Sequence, residues 1–204
     1  VLYHLTQEHL KHMLFPVGEL EKPQVRAVAH EAGLGNADKL ESQDICFVPD
    51  GDYATFIEEH TGATFVPGPI VDEAGTVLGK HNGLVHYTIG QRKGLGVAAG
   101  HPLFVLKKDA KTNTLVVGPA TSAGVHEVVA NDVNLISVAE IAEPLTVEAK
   151  VNYRATPRKA VVRMKGEKLI VTFEEPVRAV APGQAIVLYQ GDVVVGGGTI
   201  ESTR

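Results

Sequence analysis

The texture of the chain changes at Thr64, and that change constrains its architecture more than any other feature. From there on, glycine and proline punctuate short runs rich in β-branched residues: Gly68–Val71, Thr76–Gly79, Leu103–Leu106 and Thr114–Val117. Runs of this length bounded by turn formers read as strands. Asp72–Gly75 and Asp109–Asn113 have the composition of hairpin turns between them. From Ala130 to Arg204 the strand signal strengthens. Leu145–Tyr153 alternates, Ala160–Arg163 and Leu169–Phe173 flank the turn Lys165–Lys168, and Ile186–Tyr189 and Val193–Val195 flank Gln190–Asp192. Regularly spaced short strands with Gly and Pro turns predict a small β-barrel or sandwich.

Upstream of Thr64 the period is helical. Thr6 is a good N-cap for a first helix whose apolar turns continue through Leu10, Met13 and Leu14, until Pro16 and Gly18 end it. Pro23 suits the first turn of a second helix, in which Val25, Val28, Ala29 and Ala32 recur at helical spacing before Gly33 stops it. A third helix is expected from Asp52 to His60, after the turn Pro49–Gly51. The fold class expected is therefore α+β and mainly β. Residues 1–60 form a helical segment, 61–128 a β-rich central domain and 129–204 a C-terminal β-barrel.

Composition narrows the function classes. A net charge of −5 excludes a polybasic nucleic-acid binder, so any RNA contact must come from a local basic patch. Tryptophan is absent and aromatics make up 5% of the chain, too few for an extended single-strand stacking platform. No run approaches the ~20 apolar residues of a membrane span. The single cysteine cannot form an intrachain disulfide or a cysteine-rich zinc site. No signal peptide opens the chain, and Val1–Leu5 reads like the middle of a domain, so a cytoplasmic location is expected.

Four features could carry chemistry. Cys46 follows the polar Ser42-Gln43-Asp44, which suggests a cleft edge, although an isolated cysteine is also a common small core residue. To react it needs a cation or a helix N-terminus to favour the thiolate. In Thr88–Gly96, Arg92 and Lys93 sit between glycines, as a phosphate contact or a solvated hairpin tip would have them, without matching a Walker loop or a dinucleotide fingerprint. Asn152-Tyr153-Arg154, followed by Arg158-Lys159, places cations beside an aromatic ring at a strand end. That arrangement suits RNA, or an ordinary charged loop. The histidines, including His9, His12, His81 and His86, match no metal motif and read as surface or structural; no metal ligand set is identified.

Taken in order, these motifs resemble one family. Ser42–Phe47 with Pro49–Tyr53 is similar to the persulfide-cysteine segment of bacterial tRNA-specific 2-thiouridylases. Leu5–Glu8, Phe15–Gly18 and Lys22–Arg26 resemble the helices leading to it. Gly79–Gly83 and Thr88–Gly96 resemble the central module, and Glu175–Val177, Pro182–Gln184 and Gly196–Ile200 the C-terminal barrel, which in the family is like those of translation factors.

The resemblance implies a reaction in which ATP, with Mg, activates the C2 oxygen of the wobble uridine of tRNA and a cysteine persulfide delivers sulfur in its place. It implies that Cys46 is the persulfide cysteine and that Asn152, Tyr153 and Gln184 contact tRNA, with Arg154 adjoining. The family more often has a basic residue at the position of Asn152. Arg92 and Lys93 are an extrapolation to phosphate binding. The S-G-G-V-D-S nucleotide loop and a first catalytic cysteine, which would form a transient disulfide with Cys46, are not in this sequence. The chain alone is therefore expected to bind no ATP productively and not to thiolate tRNA. Expected partners are tRNA and a sulfur donor, either a cysteine desulfurase or a relay protein; the protein is expected to be a monomer with no membrane contact. The alternative is a non-catalytic tRNA-binding or translation-factor-like β-barrel module.

Overall fold

The computed structural model describes residues 2–39, 48 and 52–204. It divides into two compact units, Val1–Gln7 with Thr64–Arg204, and Glu8–Ala63.

In the Glu8–Ala63 unit and its approach, α1 (Gln7–Lys11) is shorter than the sequence suggests. Its end tightens into i→i+3 bonds, His12 N–H to His9 and Met13 N–H to Leu10, and Met13 and Leu14 lie beyond it, exposed. The second helix, α2 (Lys22–Glu31), starts where Pro23 requires, with the Gln24 side-chain carbonyl accepting the Glu21 N–H at 2.7 Å. It ends in a Schellman motif: Gly33 N–H donates to His30 and Leu34 N–H to Ala29, with Gly33 at φ +66°. No α2 residue is buried, and Val28 is 53% exposed. The third helix, α3 (Tyr53–Thr61), is capped by Asp52, whose carboxylate accepts from the Thr55 backbone N–H at 3.1 Å and its hydroxyl at 2.7 Å.

The larger unit is all β apart from two short 3-10 turns, at Leu2–His4 and Leu84–His86. Strands β1 (Gly68–Val71), β2 (Val77–His81), β3 (Phe104–Asp109) and β4 (Thr114–Gly118) form one sheet in the order β2-β1-β4-β3. Both hairpins read from the sequence are present, and the parallel β1–β4 pairing joins them. Ile70, Val105, Leu115 and Val117 fill the core of this sheet.

Six further strands close into a barrel: β5 (Val125–Leu135), β6 (Leu145–Lys150), β7 (Arg158–Lys165), β8 (Lys168–Val177), β9 (Ala185–Gln190) and β10 (Val193–Thr203), in the order β10-β5-β8-β7-β6-β9. β5 begins ahead of Ala130, where the strand signal strengthens. Alternation sets the interior: Val147 and Ala149, Ala160 and Val162, Ile186 and Leu188 point inward while their neighbours face out. The expected α+β, mainly β architecture with a C-terminal barrel is thus the one observed.

The first residues are knitted to this barrel. Asn134 Nδ2 donates to the carbonyls of Tyr3 (2.6 Å) and Leu5 (3.0 Å), and Gln7 Nε2 donates to that of Ile136 at 2.5 Å. The Tyr3 ring is buried over Gly197, where an added Cβ would lie 2.8 Å from it.

Candidate nucleic-acid interface

Between β6 and β7 the chain makes a compact loop. Val151 is buried and anchors it. Asn152 then turns back on itself: its Oδ1 accepts the Arg154 N–H at 3.0 Å and its carbonyl accepts the Ala155 N–H at 3.2 Å. This Asx turn sets Tyr153 at the apex, 93% exposed. Nearby, the Pro182–Gly183 turn is stitched to β10, Gly183 N–H donating to Ile200 at 2.8 Å and Ile200 N–H to Gln184 at 2.7 Å. The backbone of Gln184 is therefore fixed while its side chain remains exposed. Asn152, Tyr153 and Gln184, expected at tRNA contacts, line one cavity of about 280 Å³ on the outside of the barrel. Arg154 is exposed next to Tyr153.

Beside Ala185 and Val187, two polar residues of this cavity escaped sequence reasoning. Lys150 comes from the end of β6 and Tyr189 from β9. The available signal was strand parity: Lys150 pairs with Val187 across β6–β9, which puts both on the outer face, and Tyr189 lies two residues further along that face.

The charges of the barrel are unevenly used. Around β5, β8 and β10 the cations are paired: Arg163 and Arg204 with Glu127 at 3.3 and 3.6 Å, Lys168 with Glu201 at 2.7 Å. Around the β6–β7 loop, Arg158 faces Glu175 at 3.6 Å, whereas Lys150, Lys159 and Arg178 have no ion pair among the described residues. These cations stand among carboxylates: Glu148, Glu174 and Glu175 line one cavity with Arg158 and Lys159.

Arg92 and Lys93 do not line this cavity. They sit, exposed, in a loop held by Gln91, whose Oε1 accepts the Thr88 N–H and whose Nε2 donates to the Lys93 carbonyl, both at 2.9 Å. Gly90, at φ +84°, rests on the barrel at Ala179, which an added Cβ would approach to 2.8 Å. The loop is thus built against the barrel, with Leu95 buried behind it. The described residues of this loop are bonded to one another and form no open phosphate cradle.

His81 is structural. It is fully buried, its Nδ1 accepts the Gly83 N–H at 3.0 Å, and its Nε2 donates to the Asn113 carbonyl at 3.0 Å. His86 is exposed. Lys108 donates to the Tyr87 carbonyl at 2.7 Å, and burial lowers its pKa from the usual lysine value. Among the described residues, no three His, Cys, Asp or Glu side chains gather to hold a metal. Cys46 and its neighbours from Leu40 to Phe47 lie outside the described residues, as does the turn Pro49–Gly51. No described helix is long and apolar enough to cross a membrane.

Three family models match consecutive stretches of the chain: a tRNA methyl transferase HUP domain over residues 1–50, a tRNA methyl transferase PRC-barrel domain over 54–119, and an aminomethyltransferase beta-barrel domain over 125–200. Among curated proteins, the tRNA-specific 2-thiouridylase MnmA of Acetivibrio thermocellus is 50% identical over 201 residues, covering 98% of this chain and 56% of that protein. The protein of the same name from Clostridioides difficile is 46% identical over 203 residues, 99% of this chain and 56% of its own length. That of Heliobacterium modesticaldum is 48% identical over 202 residues, 98% of this chain and 52% of its own length. The chain spans about half the length of the curated relatives it matches.

Proposed function

The chain belongs to the tRNA-specific 2-thiouridylase family, and from that premise we propose that it takes part in replacing the C2 oxygen of the wobble uridine of tRNA by sulfur. In this reading Cys46 carries the sulfur as a persulfide, and the barrel holds the RNA. The observation that carries the RNA half is the convergence of Asn152, Tyr153 and Gln184 on one cavity that Lys150, without an ion pair among the described residues, also lines. An exposed ring, amide side chains and ammonium groups together suit nucleotides better than protein or small apolar ligands. Arg154, exposed beside Tyr153, contributes a phosphate contact there, and Arg92 and Lys93, in a separate loop that does not line the cavity, are at most outlying phosphate contacts. Arg and Lys at such positions add affinity without reading sequence.

The sulfur half rests on Cys46 standing in the motif Ser42–Phe47. As a thiolate it accepts sulfane sulfur from a donor protein, a cysteine desulfurase or relay, and presents it as a nucleophile. ATP with Mg supplies activation of the uridine oxygen in this reading. The described residues do not fit ATP: the glycine-and-cation loop Thr88–Gly96 is closed on itself by Gln91. Thiolation by these 204 residues alone is not expected. A cytoplasmic, monomeric protein goes with the proposal.

The test is the 2-thiouridine content of tRNA from cells in which the gene encoding this chain carries Cys46→Ser, read by retardation in a mercury-containing gel. Loss of the thiolated band, with tRNA affinity of the purified protein unchanged, is the expected result. Undiminished thiolation would sink the sulfur-carrier role and leave a non-catalytic tRNA-binding or translation-factor-like module.

A further inference from the structure

The cavity beside Tyr153 has a floor and a far wall that the tRNA contacts named above do not account for. Along β9, Ile186 and Leu188 point into the barrel, so Ala185, Val187 and Tyr189 are presented on its outer surface. Small apolar side chains therefore form the floor, and Tyr189 forms the wall away from the β6–β7 loop. Tyr153 and Tyr189 line the same space yet make no ring contact with each other. Lys150, directly across from Val187, has no ion-pair partner among the described residues. Glu148, the nearest carboxylate on the strand, pairs opposite Tyr189 but lines the neighbouring cavity with Pro157 and Lys159.

These features distinguish between two ways of holding RNA. A helical backbone offers phosphates and ribose edges, for which cations suffice; its bases are stacked inside and need no apolar floor. An unpaired base has two π-faces to cover and an edge of donors and acceptors to satisfy. The cavity supplies rings for the faces, the amides of Asn152 and Gln184 for the edge, and the Lys150 ammonium for the attached phosphate. We propose that this outer face of β6 and β9 seats one unpaired nucleotide of the tRNA, with its base against Tyr189 and its phosphate at Lys150. The proposal deepens the tRNA reading and rests on it.

The experiment uses the full chain and three probes: a tRNA transcript, a short single-stranded RNA, and a blunt RNA duplex of the same sequence, titrated by fluorescence anisotropy. Wild type is expected to prefer tRNA and the single strand to the duplex. Tyr189→Ala is expected to weaken tRNA binding roughly 5- to 150-fold, the span of one base–aromatic stack. Tyr189→Phe keeps the ring and stays close to wild type, and an unchanged far-UV circular dichroism spectrum of Tyr189→Ala separates a lost contact from a folding defect. Lys150→Ala weakens all single-stranded binding and lowers the salt slope by roughly one. Wild-type affinity for tRNA in Tyr189→Ala, or equal losses in the alanine and phenylalanine variants, would overturn the nucleotide seat while leaving the tRNA reading intact. No binding of tRNA by the wild-type chain would overturn both.

Discussion

The barrel and the second helix treat the same kind of residue in opposite ways. In the barrel, every strand sends apolar side chains, alternate ones in β6, β7 and β9, into one cluster that includes Ile186, Leu188, Val162 and Phe173. In α2, Val25, Val28 and Ala29 repeat at the period of a helix with a core-facing stripe, yet none of them is buried. The barrel is stabilised by packing, which scales with the apolar area withdrawn from water. The helix is specified by its ends: Pro23 in the first turn, the Gln24 bond to Glu21, and the Schellman turn at Gly33. Pattern and burial are thus separate properties, and a sequence can state the first without the chain supplying the second.

Three substitutions sharpen or break that contrast. The largest effect belongs to the barrel: Leu188→Ala removes a fully buried side chain and is expected to cost about 2–5 kcal/mol in urea unfolding followed by far-UV circular dichroism. A loss below 1 kcal/mol, on that same scale, would mean that the barrel core is not the main source of stability. Next comes the helix end. Gly33→Ala forces a Cβ into a left-handed conformation and is expected to cost the helix about 1 kcal/mol, seen as faster amide exchange in α2. Unchanged exchange would show that the Schellman turn does not hold the helix. The smallest effect is expected for Val28→Lys, within about 0.5 kcal/mol of wild type, because the side chain lies in solvent already. A large destabilisation there would reveal that the stripe is covered after all.

Much of the fold was legible. Gly33, Pro23 and Asp52 marked helix ends correctly because capping chemistry is local. The turns Asp72–Gly75, Lys165–Lys168 and Gln190–Asp192 did the same for hairpins, each joining strands that pair directly. What was not legible is non-local. Nothing near Ile70 announces its parallel partner Leu115, and nothing in β5 names β10 as the strand that closes the barrel. The first helix stops at Lys11 because its last N–H groups bond i→i+3, a choice that the apolar spacing of Met13 and Leu14 does not encode. The candidate site divides along the same line. Asn152, Tyr153 and Gln184 came from motifs, whereas Lys150 and Tyr189 became visible only when β6 and β9 were found side by side.

Barrel closure has one more consequence. A ring of strands exposes no unsatisfied row of N–H and C=O groups, so this part of the molecule offers no template for another strand. The four-stranded sheet is open, with β2 and β3 outermost; β3 is partly covered, Val105 exchanging backbone hydrogen bonds with Gly90 and Gln91 at 2.8 and 2.9 Å. Each outermost strand carries an exposed lysine, Lys80 on the first and Lys107 on the second. Charges on a rim make edge-to-edge joining of two copies costly. The protein therefore guards against fibrous association in two ways at once, by geometry where the strands close and by electrostatics where they do not.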